Sequence, residues 1–322
     1  MVFPMAFAIG IDLGGTHLRA ALVDRDGEIL AHERIRTEAH EGAEAVVGRI
    51  TQLINAMIAA ANGATIVGAG IAAPGPLNPF TGTVITMPNL PGWENFPIRD
   101  RIAAQVPFPV VLGNDANLAA VGEWLFGGGR GMQNMIYVTI STGVGGGVIC
   151  DGRLLLGHNG FAAEVGHMVL DPHGFAPATA TPAGSWEALA SGTFLAYHAA
   201  EAMRAGTATV LNQLTTPDAV TTHHLDLAAQ QGDELAIRLI ENAGFWCGIA
   251  FVNLLHMFSP EAIFVGGGVS NLGDRLLNPA RAEITKRALP GYRNVPIHQT
   301  KMGDNLGVLG AAAYAFSSIQ QA

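Results

Sequence analysis

Apolar positions along this chain alternate between two periods. Residues 7–24 read as a strand, a turn at Asp12-Leu-Gly-Gly-Thr16 and a second strand, with a third strand at 29–36. From 42 to 61 the period becomes helical, with Val46, Val47, Ile50, Leu53, Ile54, Met57 and Ile58 on one face. A buried strand at 65–73 stops at Pro74-Gly75-Pro76. Residues 74–98 carry Pro79, Pro88, Pro91 and Pro97 and form a loop too long for a plain connection, so a functional loop is expected. A strand at 109–112 then leads into Gly113-Asn-Asp-Ala-Asn117, where a helix begins.

The second half repeats this plan. Residues 135–140 read as a strand, 141–147 (Ser-Thr-Gly-Val-Gly-Gly-Gly) as a turn and 148–156 as a returning strand. Helical patterns cover 185–203 and 233–258, a strand at 262–265 ends in Gly266-Gly-Gly268, and a last helix spans 307–318. A plan used twice predicts an α/β fold of two duplicated domains facing each other across a cleft, with both glycine tips at the cleft. The expected division is 1–116 plus 307–322 for one domain and 117–306 for the other.

Composition narrows the partners. With 322 residues, 49% hydrophobic and 13% charged, the chain is long enough for two well-buried domains. A net charge of −9 without a basic run argues against nucleic acid or an anionic membrane as partner. Cys150 and Cys247 stand far apart in apolar surroundings, so two buried structural thiols in a reducing cytoplasm are expected. The apolar N-terminus lacks the features of a signal peptide and reads as the first strand. The stretch 244–258 is short for a bilayer and reads as a core helix.

Chemistry concentrates at the turns. Gly-x4-Gly-Lys-[Ser/Thr] does not occur, and Gly68-Ala-Gly70-Ile-Ala-Ala73 runs into prolines where a dinucleotide-binding helix would start. Phosphate contact then falls to Gly14, Gly15 and Thr16 at one tip and to Thr142 and Gly143 at the other, with Asp12 placed for a cation. Ordinary Gly-Gly hairpin turns would look the same. Asn114 and Asp115 sit where a strand ends and a helix starts, as a helix cap or as a carboxylate that accepts a hydroxyl proton while Asn114 orients the substrate. Glu164 and His167, three apart, share a face as a metal pair or a structural contact. Glu187 is a first-turn acid or a ligand for a hydroxyl. Gly266, Gly267 and Gly268 suit a close ligand or a tight turn.

Together these segments resemble the ROK family, sugar kinases and repressors of the actin-like superfamily. Asp12-Leu-Gly-Gly-Thr-His-Leu-Arg19 resembles its first phosphate motif and 141–147 its second; Gly266–Gly268 resembles its adenosine motif. Ala73-Pro-Gly-Pro76 and Met87-Pro-Asn-Leu-Pro-Gly-Trp93 are similar to its sugar-side loops. The resemblance implies two ribonuclease H-like, actin-like ATPase domains and ATP-dependent phosphorylation of a hexose, glucose first. Fructose, mannose or an N-acetylhexosamine are the alternative acceptors, and a non-catalytic sugar-binding regulator the alternative class. It implies Asp115 as the catalytic base and Gly75, Pro76, Asn89, Asn114, Glu164, His167 and Glu187 as sugar contacts. Asp12 would act on Mg²⁺, through water, and the protein would be a cytoplasmic homodimer. Only eleven residues precede Asp12, so a repressor's DNA-binding module is not expected. Many members carry a cysteine-rich zinc loop after the His of the Gly-His motif; residues 168–186 here contain no cysteine. Zinc is therefore expected to be absent, although His167, Asp171 and His173 offer three ligands in principle, with the loop's prolines stiffening it instead.

Overall fold

A computed structural model describes residues 6–87, 92–177, 179 and 181–319. The chain forms two compact units, Met1–Gln133 with Gly147–Ala163 and Thr300–Ala322, and Asn134–Gly146 with Glu164–Gln299. These bounds assign residues 117–133, 147–163 and 300–306 to the first unit, where the sequence pattern assigns them to the second.

In the first unit, β1 (Ala6–Leu13), β2 (His17–Val23) and β3 (Ile29–Arg36) form an antiparallel meander. Helix α1 (Ala43–Ala60) crosses to β4 (Thr65–Ala73), which lies parallel to β1. A two-strand hairpin, β5 (Leu77–Asn78) and β6 (Thr83–Val84), occupies part of the expected loop. Trp93, fully buried against Phe96, ties the loop's end to the core. Helix α2 (Ile98–Ala103) precedes β7 (Val110–Asn114), parallel to β4, and the sheet order is β3-β2-β1-β4-β7. Helix α3 (Asp115–Phe126) starts at once, because the Asn114 side chain caps the amides of Ala116 and Asn117.

The remaining elements echo this order. Strands β8 (Met135–Ile140), β9 (Val144–Cys150) and β10 (Arg153–Leu154) precede the helices α4 (Trp186–Ala190), α5 (Gly192–Arg204), α6 (Leu211–Leu214), α7 (Thr222–Gln230) and α8 (Glu234–Phe258). Then come β11 (Ala262–Gly266), α9 (Asp274–Arg287), β12 (Ile297–Gln299) and α10 (Leu306–Ile319). The second sheet has the order β10-β9-β8-β11-β12, with β8, β11 and β12 parallel.

Four expectations need correction. The glycines 145–147 belong to β9, so the second turn shortens to 141–143, and that strand ends at Cys150, before the turn at Asp151-Gly152. Cys150, at this strand end, is exposed, and only Cys247 is buried. The single helix expected at 185–203 breaks at Ser191, whose extended backbone lets its side chain cap α5. Helix α8 runs 25 residues, long and apolar enough to cross a bilayer, yet Cys247, Phe251, Leu254 and Leu255 on it are fully buried within the second unit.

Glycines seat α10 directly on the first sheet. Gly10 and Gly70 are register partners on β1 and β4. A Cβ on either would overlap a carbonyl oxygen of α10, that of Val308 or of Ala311. On its other side α10 meets α3, where Gly310 and Gly122 leave no room for a methyl group. Gly70→Ala is therefore expected to destabilise the first unit by about 1–3 kcal/mol through overpacking. Chemical denaturation followed by fluorescence checks this, with Gly48→Ala, at a position with open space, as the control.

Candidate functional site

Each unit carries its own set of candidate side chains. In the first, the β1–β2 turn is held from β3's end. The amide of Gly14 donates to the His17 carbonyl at 3.0 Å, and that of buried Thr37 to the Thr16 carbonyl at 2.9 Å. The Thr37 hydroxyl donates to the Gly14 carbonyl at 2.6 Å. Gly15 and Thr16 stay exposed at the tip, so their amides and hydroxyl remain presented to an anion.

Asp12 lies at the root of this turn, opposite Arg19 on β2, whose guanidinium is 3.9 Å from its carboxylate. Gly307 of α10 packs on that carboxylate; a Cβ there would stand 2.8 Å from its Cγ. Burial pushes the Asp12 carboxyl above the usual carboxylate range, against the opposing pull of Arg19. A desolvated acid beside an anion-presenting turn fits a cation bound together with phosphate.

Asp115 is exposed at the first position of α3, where the helix dipole favours a carboxylate. Its Oδ1 accepts the Ala116 amide at 2.8 Å. Asn114 spends its Oδ1 on the cap, at 3.0 and 3.2 Å, so its Nδ2 is the group left for a ligand. Gly75 stands against that Nδ2, with a Cβ there reaching to 3.3 Å, and the Gly75–Pro76 bond is cis. The structure thus brings Gly75, Pro76, Asn114 and Asp115 together; Asn89 lies outside the described residues. The far end of α3 is fixed by Glu123, a buried acid that accepts the Gly128 amide and the Thr300 hydroxyl.

In the second unit everything gathers about Val144. The Ser141 amide closes the turn on the Gly143 carbonyl at 2.8 Å. The Val144 amide then donates to Glu187 Oε2 at 2.9 Å, and the Thr181 hydroxyl donates to Glu187 Oε1 at 2.9 Å. A Cβ on Gly143 would collide with this carboxylate. Glu187 is therefore more than a first-turn acid, since it supports the 141–143 turn itself. Glu164 caps and His167 ends a 3₁₀ turn, Val165–His167, with their side chains 4.0 Å apart and each about 52% exposed. Gly166 seats this turn on the Val144 carbonyl, where a side chain would overlap.

Beside this turn lies a cavity of about 450 Å³ lined by Ser141, Thr142, Thr193, His223, Gly268 and Asn271 among others. The Thr193 hydroxyl donates to the Thr142 carbonyl at 2.7 Å, and the Gly192 amide to that of Ser141 at 2.7 Å, so α5 grips the turn from this side. Gly266 ends β11, Gly267 has a φ of 85° and packs on Ile140, and only Gly268 of the three lines the cavity. Thr181, Thr193, His223 and Asn271 were not found from sequence; the signal for Thr193 was its place just after the break at Ser191.

Among the described residues no three His, Cys, Asp or Glu side chains converge on one point. Asp171 accepts the His173 amide at 3.0 Å in a local turn. The loop is closed by backbone bonds from Leu170 and Asp171 to the Gly184 carbonyl, and by Phe175 packed against Phe194, Tyr197 and His198. Burial pushes the Cys247 thiol up to about 12, so it is inert.

The sequence profile of the ROK family matches residues 8–317. A glucokinase of Streptomyces coelicolor is 38% identical over 318 residues, covering 97% of this chain and 98% of that protein. Among solved structures, a ROK hexokinase from Thermus thermophilus is 32% identical, with a TM-score of 0.85 over 98% of this chain and 100% of that one. A ROK family glucokinase from Streptomyces griseus, in complex with glucose and AMPPNP, is 34% identical, with a TM-score of 0.79 over 97% and 100%.

The raised Asp12 makes a stability prediction with a definite sign. Its carboxyl binds a proton more readily folded than unfolded, so wild-type stability falls as pH rises through that interval. Asp12→Asn removes this cost. The variant is expected to melt at or above the wild-type temperature at neutral pH, with the gap closing toward about pH 4, where the free side chain also protonates. Thermal unfolding of both proteins across that range checks it.

Proposed function

Because the chain belongs to the ROK family, we propose that it is an ATP-dependent sugar kinase that phosphorylates glucose on its 6-hydroxyl. The observation that carries this reading is Asp115, an exposed carboxylate at the first position of α3 with Asn114 and Gly75 beside it. Asp115 takes the proton of the attacking hydroxyl. In a loose phosphoryl-transfer transition state that proton leaves late, so an ordinary carboxylate suffices. Asn114, through Nδ2, orients the same sugar. Glu164, His167 and Glu187 accept or donate to its remaining hydroxyls, and Gly75, Pro76 and Asn89 complete the sugar side. A missing hydroxyl partner then leaves a buried polar group unpaired, which is how such sites discriminate strongly.

The Gly14–Thr16 tip and Thr142–Gly143 hold the donor's phosphates, and the cavity bounded by Gly268 takes the adenosine. Asp12 fits as the residue that holds Mg²⁺, through water, since its desolvated carboxylate lacks the solvation a cation would restore. When bound, Mg²⁺ neutralises phosphate charge. The same reading makes small molecules rather than nucleic acid or membrane the partners, and a cytoplasmic homodimer the working form. The first unit carries the proton-accepting half of the machinery, and the second the nucleoside half.

ADP release measured in a coupled assay across glucose, mannose, fructose and N-acetylated hexosamines tests the proposal. Glucose-dependent turnover is expected, with glucose giving the highest kcat/KM. Asp115→Ala is expected to keep glucose affinity while kcat falls by about 10²–10⁴-fold. Residual turnover near wild type would remove Asp115 from its role, and no turnover with any sugar would leave the sugar-binding regulator as the reading.

A further inference from the structure

The edge of the second sheet gathers side chains that the proposed reaction leaves unused. On α9, Arg281, Ile284 and Thr285 stand at i, i+3 and i+4, so they share one face of the helix. The chain then turns through Pro290–Tyr292 and returns as β12, an edge strand. The Val295 amide donates to the Tyr292 carbonyl at 3.1 Å, and the Pro296 carbonyl accepts the Ile263 amide at 3.0 Å. These bonds fix the segment leading into β12 alongside α9. Between the two lies another cavity of about 450 Å³, lined by Arg281, Ile284, Arg293, Asn294, Ile297 and His298 among others. It shares no described lining residue with the cavity beside the 141–143 turn.

The lining has two characters. Ile284 and Ile297 are buried and give it an apolar side. The polar side carries two guanidiniums and, among the described lining residues, no carboxylate. Both guanidiniums are held in place. Arg281 donates to Asp274 Oδ1 at 2.9 Å, to Asn278 Oδ1 at 3.1 Å and to the Ile297 carbonyl at 3.3 Å, which ties α9 to β12. Asp274 offsets part of that charge from outside the cavity. Arg293 donates through Nε to the Ala288 carbonyl at 3.1 Å, so its two terminal nitrogens are left as donors, without an acceptor among the described residues. The His298 ring rests on Phe264, with 5.4 Å between centroids. Side chains held in this way lose little freedom when a ligand arrives.

We propose that this cavity binds a small organic phosphate monoester, with its phosphate on Arg293 and Arg281 and its apolar body on Ile284 and Ile297. Donors approach from α9 and from residues 293–298, so an acceptor with oxygens in more than one plane fits best. A phosphate monoester has three terminal oxygens and a charge of about −1.5 to −2 at pH 7, whereas a carboxylate has two coplanar oxygens and a single charge. The volume suits a small molecule. None of these residues belongs to the proposed sugar or donor sites, so the cavity's ligand does not depend on the kinase reading.

Calorimetric titration of the full chain with phenyl phosphate, inorganic phosphate and benzoate tests this. Wild type is expected to bind phenyl phosphate. Inorganic phosphate should bind at least about 10-fold more weakly, for want of an apolar body, and benzoate likewise, for want of the third oxygen and second charge. Arg293→Gln is expected to weaken phenyl phosphate at least about 10-fold, the loss typical of a hydrogen bond between charged groups. Asn294→Asp, at an exposed position, puts a carboxylate on the lining and should also weaken it; this variant serves if Arg293→Gln is poorly folded. Excess ATP should leave the binding in place. No binding by folded wild type, equal binding by wild type and variants, or equal affinity for phenyl phosphate and inorganic phosphate overturns the proposal. Benzoate binding more tightly than phenyl phosphate overturns it in favour of a carboxylate ligand. Displacement by ATP, with affinity unchanged in Arg293→Gln, overturns it too, since the phosphate would then lie at a donor turn. Glucose-dependent ADP release by both variants, without phenyl phosphate, should match wild type. If wild type shows no such release but keeps its Arg293-dependent binding, the kinase reading fails and this site stands.

Discussion

Close seating of α10 on the first sheet is the constraint from which this architecture follows. A helix normally stands off a sheet by the length of its side chains, but Gly10 and Gly70 let α10 rest on strand backbone. The same helix meets α3 at Gly310 and Gly122, so three elements share one tightly packed junction. Interiors packed to this density have discrete arrangements and little compliance. That rigidity reaches the chemistry through two residues. Gly307, at the N-terminal end of α10, sets how deeply Asp12 is covered, and α3 presents Asp115 at its own first position.

The second unit reaches rigidity by a different route, a shared carboxylate. Both oxygens of Glu187 are engaged, one by the Val144 amide and one by the Thr181 hydroxyl. The 141–143 turn and helix α4 are thereby one mechanical piece. Gly143 and Gly166 are required because the carboxylate and the 3₁₀ turn approach the backbone too closely for a side chain. Thr193 and Gly192 hold the same turn from the cavity side. Preorganisation of this kind keeps donors fixed before the substrate arrives, which is where most electrostatic catalysis originates.

Much of this could be read from the chain, because its signals were local. The β1–β2 tip, the bounds of β4 and β8 and the start of α3 at Asp115 all follow from apolar period plus turn residues. What escaped depends on contacts distant in sequence. Ser191 caps a new helix inside an unbroken helical pattern, and the glycines 145–147 extend β9 where a turn was expected. Cys150 looked buried from its apolar neighbours but falls at a strand end beside a turn. Thr181, six residues from Glu187 and outside any helix, has no periodic relation to it.

Steady-state kinetics of Gly307→Ala test the central claim most directly. The added methyl group would stand 2.8 Å from the Asp12 Cγ and Oδ2 while leaving every proposed substrate contact in place. If α10 fixes Asp12 for the reaction, kcat/KM for Mg-ATP falls by at least about 10-fold, the size of effect expected for a misplaced catalytic group. The KM for glucose should stay near wild type, and the protein should still unfold cooperatively. Wild-type kinetics with Mg-ATP in a folded Gly307→Ala protein would contradict the account, since Asp12 could then do its work without the close seating of α10.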